Sequence, residues 1–174
     1  MKRIVTILFI GFGLLMTGAA TSCANAGEAP KSEVKKLIKE FDKKEGVESV
    51  NLGSFAVAVI RKAAKAEVSD DDEAMTAVRA MDELKGLTFV DMEDSSRAVR
   101  DEFHRKFTAL MGEERLLMSV KDDGEDVLFY GTSSPDGKTV EDLIIYMPSD
   151  CDLICLWGSI STESLAGLAA SIKE

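Results

Sequence analysis

The second half of the chain contains four short apolar or alternating segments that follow one another with only turn sequences between them. The segments occupy residues 115–121, 127–132, 139–147 and 151–160. The separating sequences DDGE, SPDG and PSD are rich in Gly, Pro and Asp, which favour tight turns. Consecutive strands joined by short turns pair with their neighbours, so this pattern predicts an antiparallel meander of four strands.

The first half is dominated by apolar residues at helical spacing. Helices are predicted over residues 31–44, 54–66 and 95–111, and from Ser69 to Leu84, with a further one after Ser161. Short strands are predicted over residues 47–52 and 87–92. Amphipathic helices must bury their apolar stripes, and a sheet is the available partner. The predicted fold is therefore α+β, with a mostly antiparallel sheet of four to six strands and helices packed on one face.

The N-terminus has the layout of a secretory signal peptide. Lys2 and Arg3 precede the uncharged stretch IVTILFIGFGLLM, and a run of small residues follows it. As a helix the uncharged stretch would reach about 20 Å, which is short of the ~30 Å hydrocarbon core of a bilayer. We therefore expect the protein to be exported.

The sequence fits two alternative cleavage sites. Residues 20–23, ATSC, resemble the lipobox of bacterial lipoproteins, in which the cysteine becomes the lipid-bearing first residue, whereas residues 24–26, ANA, fit ordinary signal peptidase. We favour the lipoprotein, with lipidation at Cys23 and a lipid anchor as the sole membrane contact. The expected organisation is a signal peptide at 1–22, a tether at 23–30 and a single α+β domain at 31–174, with cleavage after Ala26 as the alternative.

The charge of the chain excludes one class of partner. The sequence has 21 basic against 31 acidic residues, a net charge of −10, and removal of Lys2 and Arg3 with the leader makes the mature charge −12. Binding to nucleic acid depends on clustered cationic side chains, so a chain this acidic is not expected to bind it.

Catalytic motifs are sparse. His104 is the one histidine, and Asp101 lies three residues before it, but no G-x-S-x-G motif and no glycine-rich phosphate loop occur in the sequence. A single histidine also argues against a His-rich zinc or copper site. We expect no catalytic residues, no metal and no cofactor. The alternative is a hydrolase that uses scattered carboxylates or His104.

Cys151 and Cys155 are both placed on the last predicted strand. Four residues of strand span about 13 Å, whereas a disulfide needs Cα atoms within about 7 Å. Two free, buried thiols are therefore predicted, with a redox-active or metal-binding pair as the alternative.

Tyr130, Tyr146 and Trp157 all lie on predicted strands. If they met on a sheet face without helices, that face would be a ligand-binding surface for a sugar, a peptide or a partner. The alternative is ordinary packing, since aromatic residues are common in sheets.

Three segments of the chain resemble a known family: FDKKEGVESVNL at 41–52, GKTVEDLIIYM at 137–147 and LICLWGSISTESLAGL at 153–168. In these pieces the chain is similar to the small exported Bacteroidetes proteins of the domain of unknown function 4252, and the likeness extends over about residues 31–172. The resemblance implies a signal-bearing, often lipid-anchored protein, and the family offers no catalytic residues to carry over.

These observations favour an exported envelope protein that works as a non-enzymatic binding or interaction module. It would be lipid-anchored in the periplasm or at the outer membrane, with a soluble periplasmic or secreted protein as the alternative. Its partner would be an unknown protein or small-molecule ligand.

Overall fold

The computed structural model describes residues 31–67, 84–122 and 125–163. The predicted leader and tether, including Cys23, lie outside the described residues. So does nearly all of the helix predicted to end at Leu84. Of the helix predicted after Ser161, only the first two positions are described. The elements, numbered here in chain order, are α1 Lys31–Phe41, β1 Glu48–Gly53, α2 Ser54–Glu67, β2 Leu84–Asp91, α3 Arg97–Met111, β3 Leu116–Asp122, β4 Glu125–Ser133, β5 Thr139–Met147 and β6 Asp152–Ser161.

The strands form one six-stranded sheet in the order β1-β2-β6-β5-β4-β3, and all neighbouring strands are antiparallel. The meander from β3 to β6 is the one that the turn sequences predict. The two strands from the first half of the chain extend the sheet beyond β6. The predicted α+β fold with an antiparallel sheet is confirmed.

One face of the sheet packs against α1 and α3 and holds the main core. The helices contribute buried residues at helical spacing, namely Val34, Leu37, Ile38 and Phe41 from α1 and Phe103, Phe107 and Met111 from α3. Phe103 is at the centre of this cluster, with its ring centroid 5.1 Å from that of Phe41 and 5.9 Å from that of Phe107. The sheet side is formed by every second residue of its strands, as the alternation of a strand requires.

The opposite face of the sheet packs against α2. Val57 of this helix is buried with Leu87, Met147 and Ile154, which alternate along their strands with residues of the main core. The expectation that the helices pack on one face thus holds for α1 and α3, whereas α2 lies on the other face.

The helical spacing of Phe55, Val59, Ile60 and Ala63 predicts that this side of α2 is buried, which is wrong for the first three: they are exposed, and Val57 on the other side is buried. The sequence SFAVAVIRKAAKAE is apolar around most of its circumference, so either side could face the sheet.

Helix ends and strand ends follow local chemistry. Ser96 caps α3 by accepting a hydrogen bond from the Val99 amide, and Gly112 ends the helix at a φ of 65°. The strand predicted from Leu87 begins earlier, at Leu84, because the chain pairs with β6 through an irregularity between Leu84 and Gly86.

The start of α1 is fastened to the sheet by Asp142. This residue lies at a register irregularity of β5 and has a φ of 50°. Its carboxylate accepts from Lys31 Nζ at 2.7 Å and from the Gly158 amide at 2.9 Å. The position at which the predicted tether would join the domain is therefore held against β5 and β6. Among the described residues, the helices are too short or too polar to cross a bilayer.

Candidate functional site

A pocket of about 450 Å³ lies between the first half of α3 and the turn that joins β5 to β6. Four of its residues are spaced so that they share one face of α3, next to the buried phenylalanine stripe. The turn supplies the opposite wall. The lining residues are Arg97, Arg100, Asp101, His104, Pro148, Ser149 and Cys151.

Arg100 has a structural role at one side of this pocket. Its Nη1 donates to the backbone oxygens of Glu93 at 3.0 Å and Ser95 at 2.9 Å, and to that of Met92 at 3.4 Å. These contacts hold the loop after β2 against the first turn of α3. Arg97, by contrast, is exposed and pairs loosely with Asp101, with 3.8 Å between Nε and Oδ2.

A chain of hydrogen bonds links the pocket to the core. The Tyr146 hydroxyl is 2.8 Å from His104 Nδ1 and donates to Cys151 Sγ at 3.5 Å, while Sγ in turn is 3.4 Å from the backbone oxygen of Arg100. The hydroxyl has one hydrogen, so when it donates to Sγ its oxygen accepts from Nδ1–H of His104. Neutral His104 then carries its lone pair on Nε2.

The two buried members of this chain are neutral at physiological pH. Burial raises the pKa of the Tyr146 phenol well above its usual range. Burial also raises the pKa of the Cys151 thiol, although the hydrogen bond from Tyr146 and the Arg100 charge act in the opposite direction. The arrangement therefore orients the imidazole of His104 without supplying a thiolate.

Comparison with known proteins identifies the family. The sequence pattern of the family described as Domain of unknown function (DUF4252) matches residues 41–168, which is more than half of the chain. The chain belongs to this family. The membership indicated by the segments at 41–52, 137–147 and 153–168 is thereby confirmed. No curated protein and no solved structure matches the chain.

The DUF4252 domain has two free cysteines in its described part, Cys151 and Cys155, and both are buried, as predicted. Their positions differ from the prediction in one respect. Cys151 lies in the turn before β6, with a φ of 61°, so only Cys155 is on the strand. Burial raises the pKa of Cys155 as well.

Tyr130, Tyr146 and Trp157 do not form an exposed face in the DUF4252 domain, which corrects that expectation. They are 5%, 0% and 2% exposed and lie on the side of the sheet that α1 and α3 cover. Phe107 packs against both tyrosines, while Trp157 Nε1 donates to Thr88 Oγ1 at 2.8 Å. Packing is their role in this structure, and Tyr146 alone reaches the pocket lining, through its hydroxyl.

The sequence singled out His104, with Asp101 beside it, and Cys151 as a buried thiol, but the other four lining residues were missed, namely Arg97, Arg100, Pro148 and Ser149. Arg97, Arg100, Asp101 and His104 are at positions i, i+3, i+4 and i+7, so a polar stripe beside the apolar one was readable from the sequence. The turn residues could not be found in this way, because only the fold brings them to α3. Within the ranges that the structure describes, no group of three or more His, Cys, Asp or Glu side chains is arranged to hold a metal ion.

Asp152, which follows Cys151, gives the domain a pH-dependent stability. Its side chain is buried and Oδ1 accepts from the Met92 amide at 3.3 Å. Burial raises its pKa to about 6, and Asp91, Asp150 and Glu93 add repulsion in the same direction. A carboxyl whose pKa is raised by folding stabilises the fold when protonated, and this contribution is lost as the pH rises from about 4 through about 6.

We expect Asp152→Asn to stabilise the domain by about 1–3 kcal/mol at pH 7.5 and to have little effect at pH 4. Asparagine keeps the oxygen that accepts from Met92 but cannot ionise. The measurement is urea unfolding of both proteins at the two pH values. The two proteins share all other carboxylates, so the difference between their free energies of unfolding reports on Asp152 alone. An equal difference at both pH values would contradict the raised pKa of Asp152.

Proposed function

We propose that the protein is an exported, lipid-anchored protein of the cell envelope that binds a small polar ligand rather than catalysing a reaction. Export and anchoring are supported by the charged start, the short apolar stretch and the position of Cys23. Cleavage after Ala26 would instead give a soluble exported protein.

The observation that carries the binding role is the pocket beside α3 with His104 held by Tyr146. In a catalytic triad the histidine is oriented by a carboxylate that stabilises the imidazolium ion. Here the orienting group is a neutral phenol, which offers no such charge. The neighbouring Cys151 is a neutral thiol because burial raises its pKa. These features favour recognition by hydrogen bonds and charge over the hydrolase alternative.

The lining suits a small ligand that carries a carboxylate. Arg97 is exposed and only loosely paired, and Ser149 adds a hydroxyl on the opposite wall. Arginine recognises carboxylates by parallel hydrogen bonds from its planar guanidinium group. In the tautomer in which Nδ1–H of His104 donates to Tyr146, Nε2 is an acceptor for a donor group of the same ligand.

The pocket is tested by filling it. We expect Ser149→Trp to abolish the melting-temperature rise that the full chain shows with a small-carboxylate probe from a set of citrate, glucuronate and free amino acids. Ser133→Trp, on exposed Ser133 of β4, is the matched control and should keep that rise. If no probe raises the melting temperature, or if both variants respond like the unsubstituted protein, the binding role of this pocket is wrong.

The anchor is tested separately by Cys23→Ala. We expect the unsubstituted protein to fractionate with membranes and the variant to be released, because the acyl chains supply the membrane affinity at about 0.8 kcal/mol per buried CH₂ group. Cys155→Ala is a control that removes a buried thiol of the domain. Membrane association that survives Cys23→Ala would contradict lipidation at this residue.

A further inference from the structure

Within the ranges that the structure describes, β1 is an edge strand of the sheet and lacks the usual protection of such a strand. Its pairing with β2 runs in register over all six residues, and the strand sequence ESVNLG contains no Lys or Pro. Soluble proteins commonly protect edge strands with lysine, proline or bulges, because unpaired backbone groups recruit other strands. The opposite edge strand, β3, is irregular, with a register shift between Leu116 and Met118.

Apolar side chains are exposed next to this open edge. Val50 of β1 is 52% exposed, and Phe55, two residues beyond the end of the strand, is 82% exposed. Val59 and Ile60 of α2 are also exposed. Phe55 and Val59 are four residues apart and so share a face of α2, on the far side from the buried Val57.

Val50 and α2 are on the same side of the sheet. The β2 partner of Val50 is Phe89, and that of Leu52 is Leu87. Both partners pack in the cluster that contains Val57. Since residues opposite each other in antiparallel strands project to the same face, Val50 lies on the α2 side.

We propose that this edge is the interface of a homodimer, in which β1 of one copy pairs antiparallel with β1 of a second copy about a two-fold axis at Val50. The pairing sets Val50 against Val50 of the other copy and keeps both α2 helices on one side of a continuous sheet. Glu48, the only charged residue of β1, then faces Leu52 of the other copy, so no like charges meet.

A second copy of the chain would pair with the backbone edge of β1 and cover the exposed apolar side chains at the same time. A bilayer would cover the apolar side chains but would leave the edge N–H and C=O groups without partners. An extended peptide would pair with the edge but would bring no matching helix to α2. A two-fold interface supplies the strand and the apolar helix from the same surface patch.

Cysteine cross-linking of the full chain tests the register. In the proposed pairing the two Val50 Cα atoms are about 4.5–5.5 Å apart, which lies within disulfide range. We expect Val50→Cys, treated with copper–phenanthroline, to give a dimer on a non-reducing gel that dithiothreitol reverses. Glu48→Cys is a control on the same strand, where the two copies lie about 13 Å apart, and should cross-link about tenfold less. Leu117→Cys is the matched control on the opposite edge strand, and the unsubstituted protein gives the background of its own cysteines.

Cross-linking of Val50→Cys that is no stronger than that of the unsubstituted protein would overturn the proposal. Equal cross-linking of Glu48→Cys or Leu117→Cys would also overturn it.

A second measurement needs no added cysteine. Phe55→Ser, at an exposed position that the fold does not need, should weaken dimerisation in light scattering by about tenfold or more. A chain that is monomeric at high concentration, or a dimer unaffected by Phe55→Ser, would contradict the contribution of α2 and with it the proposed interface. These results do not depend on the ligand pocket, which lies beside α3.

Discussion

Phe103→Ala should destabilise the domain by about 3–5 kcal/mol, one of the two largest losses of stability that we expect. The ring is fully buried where α1, α3 and β5 meet, in edge contact with Phe41, stacked on Phe107 and 6.3 Å from the ring of Tyr146. Removing it takes away apolar burial and leaves a cavity that the surrounding rings cannot fill without moving. Urea unfolding followed by the fluorescence of Trp157, the single tryptophan, measures the loss.

Phe103→Leu is the control for this experiment, because it keeps most of the apolar volume and should cost less than the alanine variant. A loss below about 1 kcal/mol for Phe103→Ala would mean that the position is not in a packed core. The packing of α3 on the sheet, and with it the geometry of the pocket, would then be wrong.

Gly46→Ala should destabilise the domain by about 3–4 kcal/mol. Gly46 joins α1 to β1 at a φ of 75°, a left-handed conformation that side chains disfavour. A Cβ at this position would overlap the backbone of Asp94 and Ser95, in the loop that leads into α3. Backbone cannot move aside as a flexible side chain can. The cost of the left-handed conformation and the cost of the steric overlap therefore both reduce the free energy of unfolding.

Gly137→Ala separates these two effects. Gly137 has a similar φ of 68°, but a Cβ there would meet nothing within 4 Å. Gly137→Ala should therefore lower the free energy of unfolding only by the cost of a side chain at positive φ, about 1–2 kcal/mol. Equal losses for the two variants, measured by the same urea unfolding, would show that the turn after α1 does not pack tightly against the loop before α3.

The parts of the fold that local pattern determines were predictable. The strand predicted at residues 139–147 has those bounds in the structure. The sequence indicates Ser95 or Ser96 as the N-cap of α3 and Gly112 as its end, and the structure has Ser96 and Gly112. These features depend on neighbours in sequence. The position of β2 between β1 and β6 depends on pairing between residues about 70 apart, and no local signal specifies it.

The candidate site was only partly predictable for the same reason. His104 was visible as the one histidine, but its contact with Tyr146 joins residues 42 apart in the chain. The alternation of β4, β5 and β6 placed the aromatic residues on faces of the sheet without showing which face the helices cover. Which face is covered depends on the burial of Phe103 and Phe107, because α3 packs on the face that carries the tyrosines.

The proposal that the protein works in the envelope depends most directly on the loss of the leader, and the mass of the protein isolated from its native cells tests it. We expect a chain that begins at Cys23 and carries the added mass of acyl groups. A chain that begins after Ala26 would retain export and contradict the anchor. An intact chain that still begins at Met1, with no shortened form beside it, would contradict both export and the lipid anchor.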